Sequence, residues 1–198
     1  MELKFQYNKT TIQDLNKQLV LRQKTLPILQ KKEVALRMEV KEHRKRFRKI
    51  SIEHEELMHK VVEQEGLWNE FPKILFIDSV KIEQEKIIGV KVPVLKDIDF
   101  KMADFSWWHY PAWLPTGIHL LKQVLRLEIE VEVLEQQIEL LNRARKKTTQ
   151  KVNLYEKEQI PAMQEAILKI KRFLEDKENI SKAAQKITKK RLEREAEV

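Results

Sequence analysis

Between Ile12 and Val61, side chains at alternating steps of three and four form one seam: Ile12, Leu15, Leu19, Arg22, Leu26, Leu29, Glu33, Leu36, Val40, His43, Phe47, Ile50, His54, Leu57 and Val61. Eleven of these fifteen positions are apolar and seven heptads pass without a slip, which is the pattern of a coiled-coil helix. Arg22, Glu33, His43 and His54 break it. Buried polar residues set register at a cost in stability, so the breaks have three candidate roles: fixing register, easing a bend near Pro27, and facing a partner around His43. The helix is predicted to start near Thr10 or Thr11, where Thr10 and Gln13 have capping-box spacing. About 50 residues at 1.5 Å each give roughly 75 Å of helix. Pro27 removes one backbone hydrogen bond inside it and is expected to bend it. The helix should end near Gly66.

From Lys73 to Met102 the periodicity changes. Ile74 to Ile77, Val80, Ile82, Ile87, Ile88, Val90, Val92, Ile98 and Phe100 are β-branched, aliphatic or aromatic and partly alternate, which predicts two or three short strands. They read best as a β-hairpin with Gly89 at a bend or bulge. The stretch from Phe105 to Pro115 follows, too rich in proline and aromatics for regular structure. Its tryptophans either close a small core against the helix ends or present a docking surface, since Trp and Tyr bind well while keeping a polar tip wet.

After Gly117 a second seam opens with Leu120, Val124, Leu127, Val131, Leu134, Ile138 and Leu141. It turns polar at Arg145 and Thr148, then recovers at Val152 and Tyr155. Past Pro161 the apolar series Met163, Ile167, Ile170 and Leu174 is one residue out of phase. A proline with a register slip predicts a kink or local unwinding. The fold class expected is mainly α, a long antiparallel two-helix coiled coil formed by the N- and C-terminal helices, with a short β-hairpin and irregular insert in the middle. Its parts are 1–65, 66–117 and 118–198. Ile12 then lies opposite about residue 167, and the last residues of the chain overshoot the first helix.

Composition sharpens this outline. Charged residues make up 35% of the 198 and aromatics 7%, with three glycines and six prolines, as expected of long helices rather than a large central core. The absence of cysteine excludes disulfides and thiolate metal sites and fits a reducing compartment. Neither an apolar signal core nor a membrane-spanning run is evident. The net charge of +8 divides as +5 over residues 1–65, −1 over 66–117 and +4 over 118–198. A basic arm of this kind fits nucleic acid, an acidic surface or an acidic protein pocket, and a solvated face explains it equally.

Catalytic chemistry finds no foothold. His54 and His59 are five residues apart, so their rings point to different faces and do not form a zinc helix motif. There is no Gly-rich phosphate loop and no nucleophile elbow. Glu128, Glu130, Glu132 and Glu135 lie on helix surfaces beside bases, where pairing or solvation is the default. The basic run from Lys41 to Lys49 is the best nucleic-acid candidate, although its one aromatic, Phe47, is a seam position and none interleaves the outward bases. No catalytic, cofactor or metal site is expected.

In the C-terminal arm, Arg145-Lys146-Lys147-Thr148-Thr149-Gln150-Lys151-Val152-Asn153-Leu154-Tyr155-Glu156, then Ile160-Pro161 and the Ile167, Ile170, Leu174 series, resembles the D subunits of the V/A-type rotary ATPases. Gly89-Val90-Lys91-Val92-Pro93 matches the Gly-Val-x-Val-Pro of that family's insert. The N-terminal arm from Asn8-Lys9-Thr10 through Leu15, Leu19 and Leu29 to Leu36 is similar in spacing, so the resemblance covers nearly the whole chain. It implies a non-catalytic central-stalk rotor axle that carries torque between a catalytic hexamer and an ion-translocating membrane sector. The implied partners are that hexamer, the small F subunit of the rotor and a funnel-shaped subunit linking the axle to the membrane ring. The implied place is the cytoplasm, peripheral to the membrane, with neither specific nucleic-acid binding nor membrane insertion. Lys182, Lys186, Lys189, Lys190 and Arg191, on the overshooting tip, are the candidate hexamer contacts. His43, Phe47, Trp107, Trp108 and Trp113 are the candidate contacts for the foot or small rotor subunit. The alternative is a basic helical-hairpin arm that binds nucleic acid or scaffolds a complex.

Overall fold

The seam from Ile12 to Val61 folds as a single helix, and all fifteen of its residues are buried or half-buried. The computed structural model describes residues 5–63, 65–103 and 111–196, with side chains through residue 192. In chain order these residues form α1 (Lys9–Glu63), the single turn α2 (Glu65–Trp68), β1 (Leu75–Ile87), β2 (Val90–Met102) and α3 (Leu114–Asn153). A π-helical segment (Leu154–Gln159) then leads into α4 (Ile160–Ala196). The start of α1 differs slightly from expectation. Thr11 N–H donates to Asn8 Oδ1 at 2.7 Å, so Asn8 is the cap and Thr10 lies within the first turn. Asn is the stronger N-cap residue because its side-chain carbonyl reaches the free N–H groups. Pro27 sits inside α1 without ending it.

Contacts group the chain into two compact units, Met1–Lys31 with Thr148–Val198, and Lys32–Lys147. In the first unit Leu15 is buried with Met163, Ala166, Ile167 and Ile170, and Ile12, Leu19 and Leu174 pack against them. The antiparallel pairing of Ile12 with the neighbourhood of residue 167 therefore holds. Phe5, Tyr7 and Phe173 close this cluster through ring contacts at 5.5 and 4.8 Å. Beyond Leu174 every described side chain of α4 is exposed.

The expected unwinding before Pro161 is the π-helical segment. Pro161 has no N–H to donate, and just ahead of it Ile160 N–H reaches back five residues to the Tyr155 carbonyl. A π turn adds one residue to the helix. That single residue is the slip between the series ending at Tyr155 and the one resuming at Met163. On both sides the apolar residues stay on the packed face.

In the second unit Leu36, Val40 and Leu141 bury Val92 between the two helices, with Ile87, Ile88 and Val90 packed around it. The strands are longer than expected, 13 residues each, and pair antiparallel across a two-residue turn at Ile88 and Gly89. Both turn residues have positive φ, 49° and 77°, as a primed hairpin turn requires. Gly89 adopts this freely, whereas Ile88 is held there by packing on the core. The backbone register skips Asp78 of β1 and Lys96 of β2, the mark of β-bulges. β2 faces α3: Gln137 Nε2 donates to the Pro93 carbonyl, and the Lys122 ammonium lies 5.6 Å from the Phe100 ring centre. At the far end of this unit Ile74, Leu114 and Ile118 form a small core under Phe71. There a Cβ on Gly117 would come within 2.9 Å of the Trp113 ring, so this glycine allows the close approach.

Two substitutions test this arrangement by chemical denaturation. Leu36→Ala leaves a cavity where helix, helix and hairpin meet, and should lower unfolding free energy by about 2–5 kcal/mol. Gly89→Ala has open space for its methyl, with Lys32 Nζ at 3.7 Å. Its cost should therefore be backbone strain alone, about 1–2 kcal/mol.

Candidate functional site

The four polar breaks in the α1 seam resolve differently. Arg22 reaches the other arm: its Nε donates to Gln159 Oε1 at 2.6 Å and its guanidinium lies 5.8 Å from the Tyr155 ring centre. It thus ties α1 to the π-helical segment and fixes register there. Glu33 is buried and accepts a two-pronged bond from Arg37 one turn on, at 2.9 Å to each oxygen, so its charge is compensated within its own helix. His43 Nδ1 lies 3.0 Å from the Glu39 carbonyl. His54 Nε2 is buried without a hydrogen-bond partner among the described residues. Elsewhere between the arms, Arg46 and Glu130 join α1 to α3 at 2.6 Å.

The expected site residues occupy three places. Lys182, Lys186, Lys189, Lys190 and Arg191 are exposed on the part of α4 that runs past its packed face. Lys182 pairs with Glu178 at 2.8 Å, and this pairing holds the Glu178 carboxyl below its ordinary range. Exposed Ile180, Ile187 and Leu192 lie among these cations. His43 and Phe47 are half-buried on the α1 seam. Trp113 is half-buried in an aromatic cluster with Trp68 and Phe71, at 6.1 and 6.2 Å, so this ring serves the miniature core. Trp107 and Trp108 lie outside the described residues.

Two surfaces emerge only in the fold. β1 exposes Phe76, Ile77, Val80 and Ile82, because β2 takes the side of the hairpin that packs. The basic run of α1 faces α3 across a cleft of about 510 Å³. Arg37, Lys41, Arg44, Lys45 and Arg48 line it from α1, and Arg145 closes it from α3. The run itself is visible in the sequence, but Arg145 joins it only through the antiparallel pairing.

Among the described residues no group of three or more His, Cys, Asp or Glu is placed to hold a metal ion, and no helix is long and apolar enough to cross a membrane. The fold defines a class of protein: paired helices bearing a side hairpin, with exposed apolar and basic surfaces. Comparison with known proteins narrows that class. The family profile of the ATP synthase D subunit matches residues 11–190. The D subunit of the V-type ATP synthase of Borreliella burgdorferi is 30% identical over 190 residues, covering 93% of this chain and 94% of its own length. The namesake subunits of Chlamydia pneumoniae and Chlamydia muridarum are 29% and 30% identical. Those two matches span 59% and 61% of this chain and 56% and 60% of the relatives. The chain belongs to the family of ATP synthase D subunits, the stalk subunits of rotary ATPases.

The hairpin carries a pH-sensitive cluster. Asp99 accepts from Lys81 at 2.9 Å and from Ser79 Oγ at 2.8 Å. These bonds, that of Lys81 foremost, depress the Asp99 carboxyl, and the bond to Asp99 raises Lys81. For a depressed acid, the contribution is complete above the ordinary carboxylate pKa and is lost as pH falls through the depressed value. For the raised amine, it persists until pH climbs through the raised value. Protection of the β1 and β2 amides, taken relative to intrinsic exchange, should therefore fall when pH drops below the ordinary carboxylate range and again when it climbs through the raised Lys81 value, and Asp99→Asn should abolish both steps.

Proposed function

We propose that the chain is the central rotor axle of a V-type ATPase, carrying torque between ATP hydrolysis or synthesis in a catalytic hexamer and ion translocation, of protons or another cation, in the membrane sector. One observation carries this reading. From residue 175 to residue 192 α4 has no packed face, yet it holds Ile180, Ile187 and Leu192 at 71%, 56% and 61% exposure among cations. Eighteen residues span about 27 Å of helix, and aliphatic side chains along such a length gain from enclosure. A ring of subunits around the helix supplies that enclosure, with Lys182, Lys186, Lys189, Lys190 and Arg191 meeting acidic groups of its bore.

In this reading the chain is non-catalytic. Nucleotide chemistry belongs to the hexamer, and this chain contributes shape, stiffness and contact. The hairpin and the Trp113 end receive the small F subunit of the rotor and the funnel-shaped subunit of the membrane ring, with His43 and Phe47 facing the former. The assembly then places the chain in the cytoplasm, at the membrane periphery.

Reconstitution tests the axle. ATP hydrolysis by the hexamer should become coupled and stimulated when this chain is added, and charge reversal at Lys182, Lys186, Lys189, Lys190 and Arg191 together should reduce hexamer binding severalfold. A hexamer indifferent to the chain would overturn the reading.

A further inference from the structure

The hairpin leaves one edge of its sheet open. Among the described residues the sheet has two strands. β2 is engaged by α3, where Pro93 has no N–H to give and its carbonyl accepts from Gln137. β1 carries no proline along its 13 residues. From Asp78 to Lys86 every side chain except Ser79 is exposed. In an antiparallel strand, alternate residues turn their N–H and C=O groups away from the existing partner. β1 therefore presents a row of backbone groups that a further strand can pair in register.

Which strand fits is set by the order of charges along β1: Asp78, Lys81, Glu83, Glu85 and Lys86. Two copies related by a twofold axis pair their β1 strands antiparallel, and one residue then faces its own counterpart. Centring on Ile82 sets Lys81 against Glu83 of the second copy, and Asp78 against Lys86, each pair occurring twice. No like charges meet, and Glu85 faces Ser79. At the centre Ile82 meets its counterpart with Val80 diagonal to it on the same face, and both side chains are exposed in the single chain. Moving the centre by one residue sets Lys81 against Lys81, or Glu83 against Glu83. Centring on Gln84 sets Glu83 against Glu85, and centring on Val80 sets Asp78 against Ile82. Lysines on an edge ordinarily blunt strand addition. In the Ile82 register each meets a carboxylate, so they select that register instead.

We propose that two copies of this chain join their hairpins edge to edge, β1 against β1 and antiparallel about Ile82, into one four-stranded sheet. Asp78 and Lys86 form no ion pair among the described residues, and the second copy supplies one for each. Lys81 and Glu83 contact Asp99 and Lys96 at 2.9 and 3.5 Å and remain largely exposed, with room for a further contact. A strand edge buries far less area than a broad face, so the dimer is weak and concentration-dependent. It is a state of the free chain and does not rest on the axle reading.

Sedimentation equilibrium of the full chain should show monomer and dimer in exchange, with the dimer weakening as salt rises. Lys81→Glu sets a carboxylate against Glu83, and Glu83→Lys sets an ammonium against Lys81. Each variant alone should associate about tenfold more weakly than the wild type. Mixed in equal amounts, the two regain opposite charges at every pair and should associate as the wild type does. Lys81→Glu also loses the Asp99 contact, so Asp78→Lys and Lys86→Glu repeat the exchange at side chains without that tie, with circular dichroism confirming the fold. The chain has no cysteine, so Ile82→Cys should yield a disulfide-linked dimer on mild oxidation. Phe76→Cys, equally exposed but about 40 Å from its counterpart in this register, should not. A monomer at every concentration, single variants that associate like the wild type, a mixture no tighter than its components, or linkage through Phe76→Cys as readily as through Ile82→Cys would each overturn the proposal. No hexamer enters these measurements, so their failure leaves the axle reading untouched, and failed reconstitution leaves the dimer standing.

Discussion

Helical phase is the constraint on which the rest of this structure depends. A seam between two helices has no deep interior in which a misplaced side chain finds another berth. Each apolar residue is covered only if both helices present the same face at the same height. In the first unit this is visible where Leu15 meets Met163, Ile167 and Ile170, and in the second where Leu36 and Val40 meet Leu141. The polar breaks follow from the same demand. Glu33 is tolerated because Arg37, one turn on, pairs with its carboxylate. Arg22 is met from the opposite arm by Gln159 and Tyr155.

The hairpin adds a layer where a two-helix seam is thinnest. Val92 is fully buried against both helices, and Ile88 of the turn closes over it with the strand-end residues Ile87 and Val90. That packing accounts for a β-branched residue at positive φ, a conformation Ile88 would not adopt on local preference. It also accounts for the asymmetry of the sheet. β2 gives up its inward face and its Pro93 carbonyl to α3, and β1 is left with its apolar side chains outward.

Much of this was legible in sequence because long heptad runs carry redundant information. The α1 seam, the antiparallel pairing of Ile12 with residue 167 and the disturbance ahead of Pro161 all follow from spacing. The cap moved from Thr10 to Asn8 because candidate caps two residues apart differ only in which side chain reaches an N–H. Strand length was underestimated, since Lys81, Glu83, Glu85, Lys86 and Lys91 dilute the alternation on a hairpin with one open face. Of the surfaces, the cations of the α4 tip could be found by counting residues. The cleft that Arg145 completes could not, because it exists only once α3 lies beside α1. Trp113 was offered both as core and as docking surface, and composition does not separate the two; its contacts with Trp68, Phe71 and Gly117 do.

The π-helical segment has a consequence well beyond its own six residues. One inserted residue turns everything downstream by roughly 100° about the helix axis. The azimuth at which Lys182, Lys186, Lys189, Lys190 and Arg191 leave the packed part of α4 is thus decided between Leu154 and Gln159, not by the tip's own sequence. Two family members with identical tips but differing by one residue in that segment would aim their cations in different directions. The segment acts as an indexing notch, setting the angle at which the end of α4 is presented.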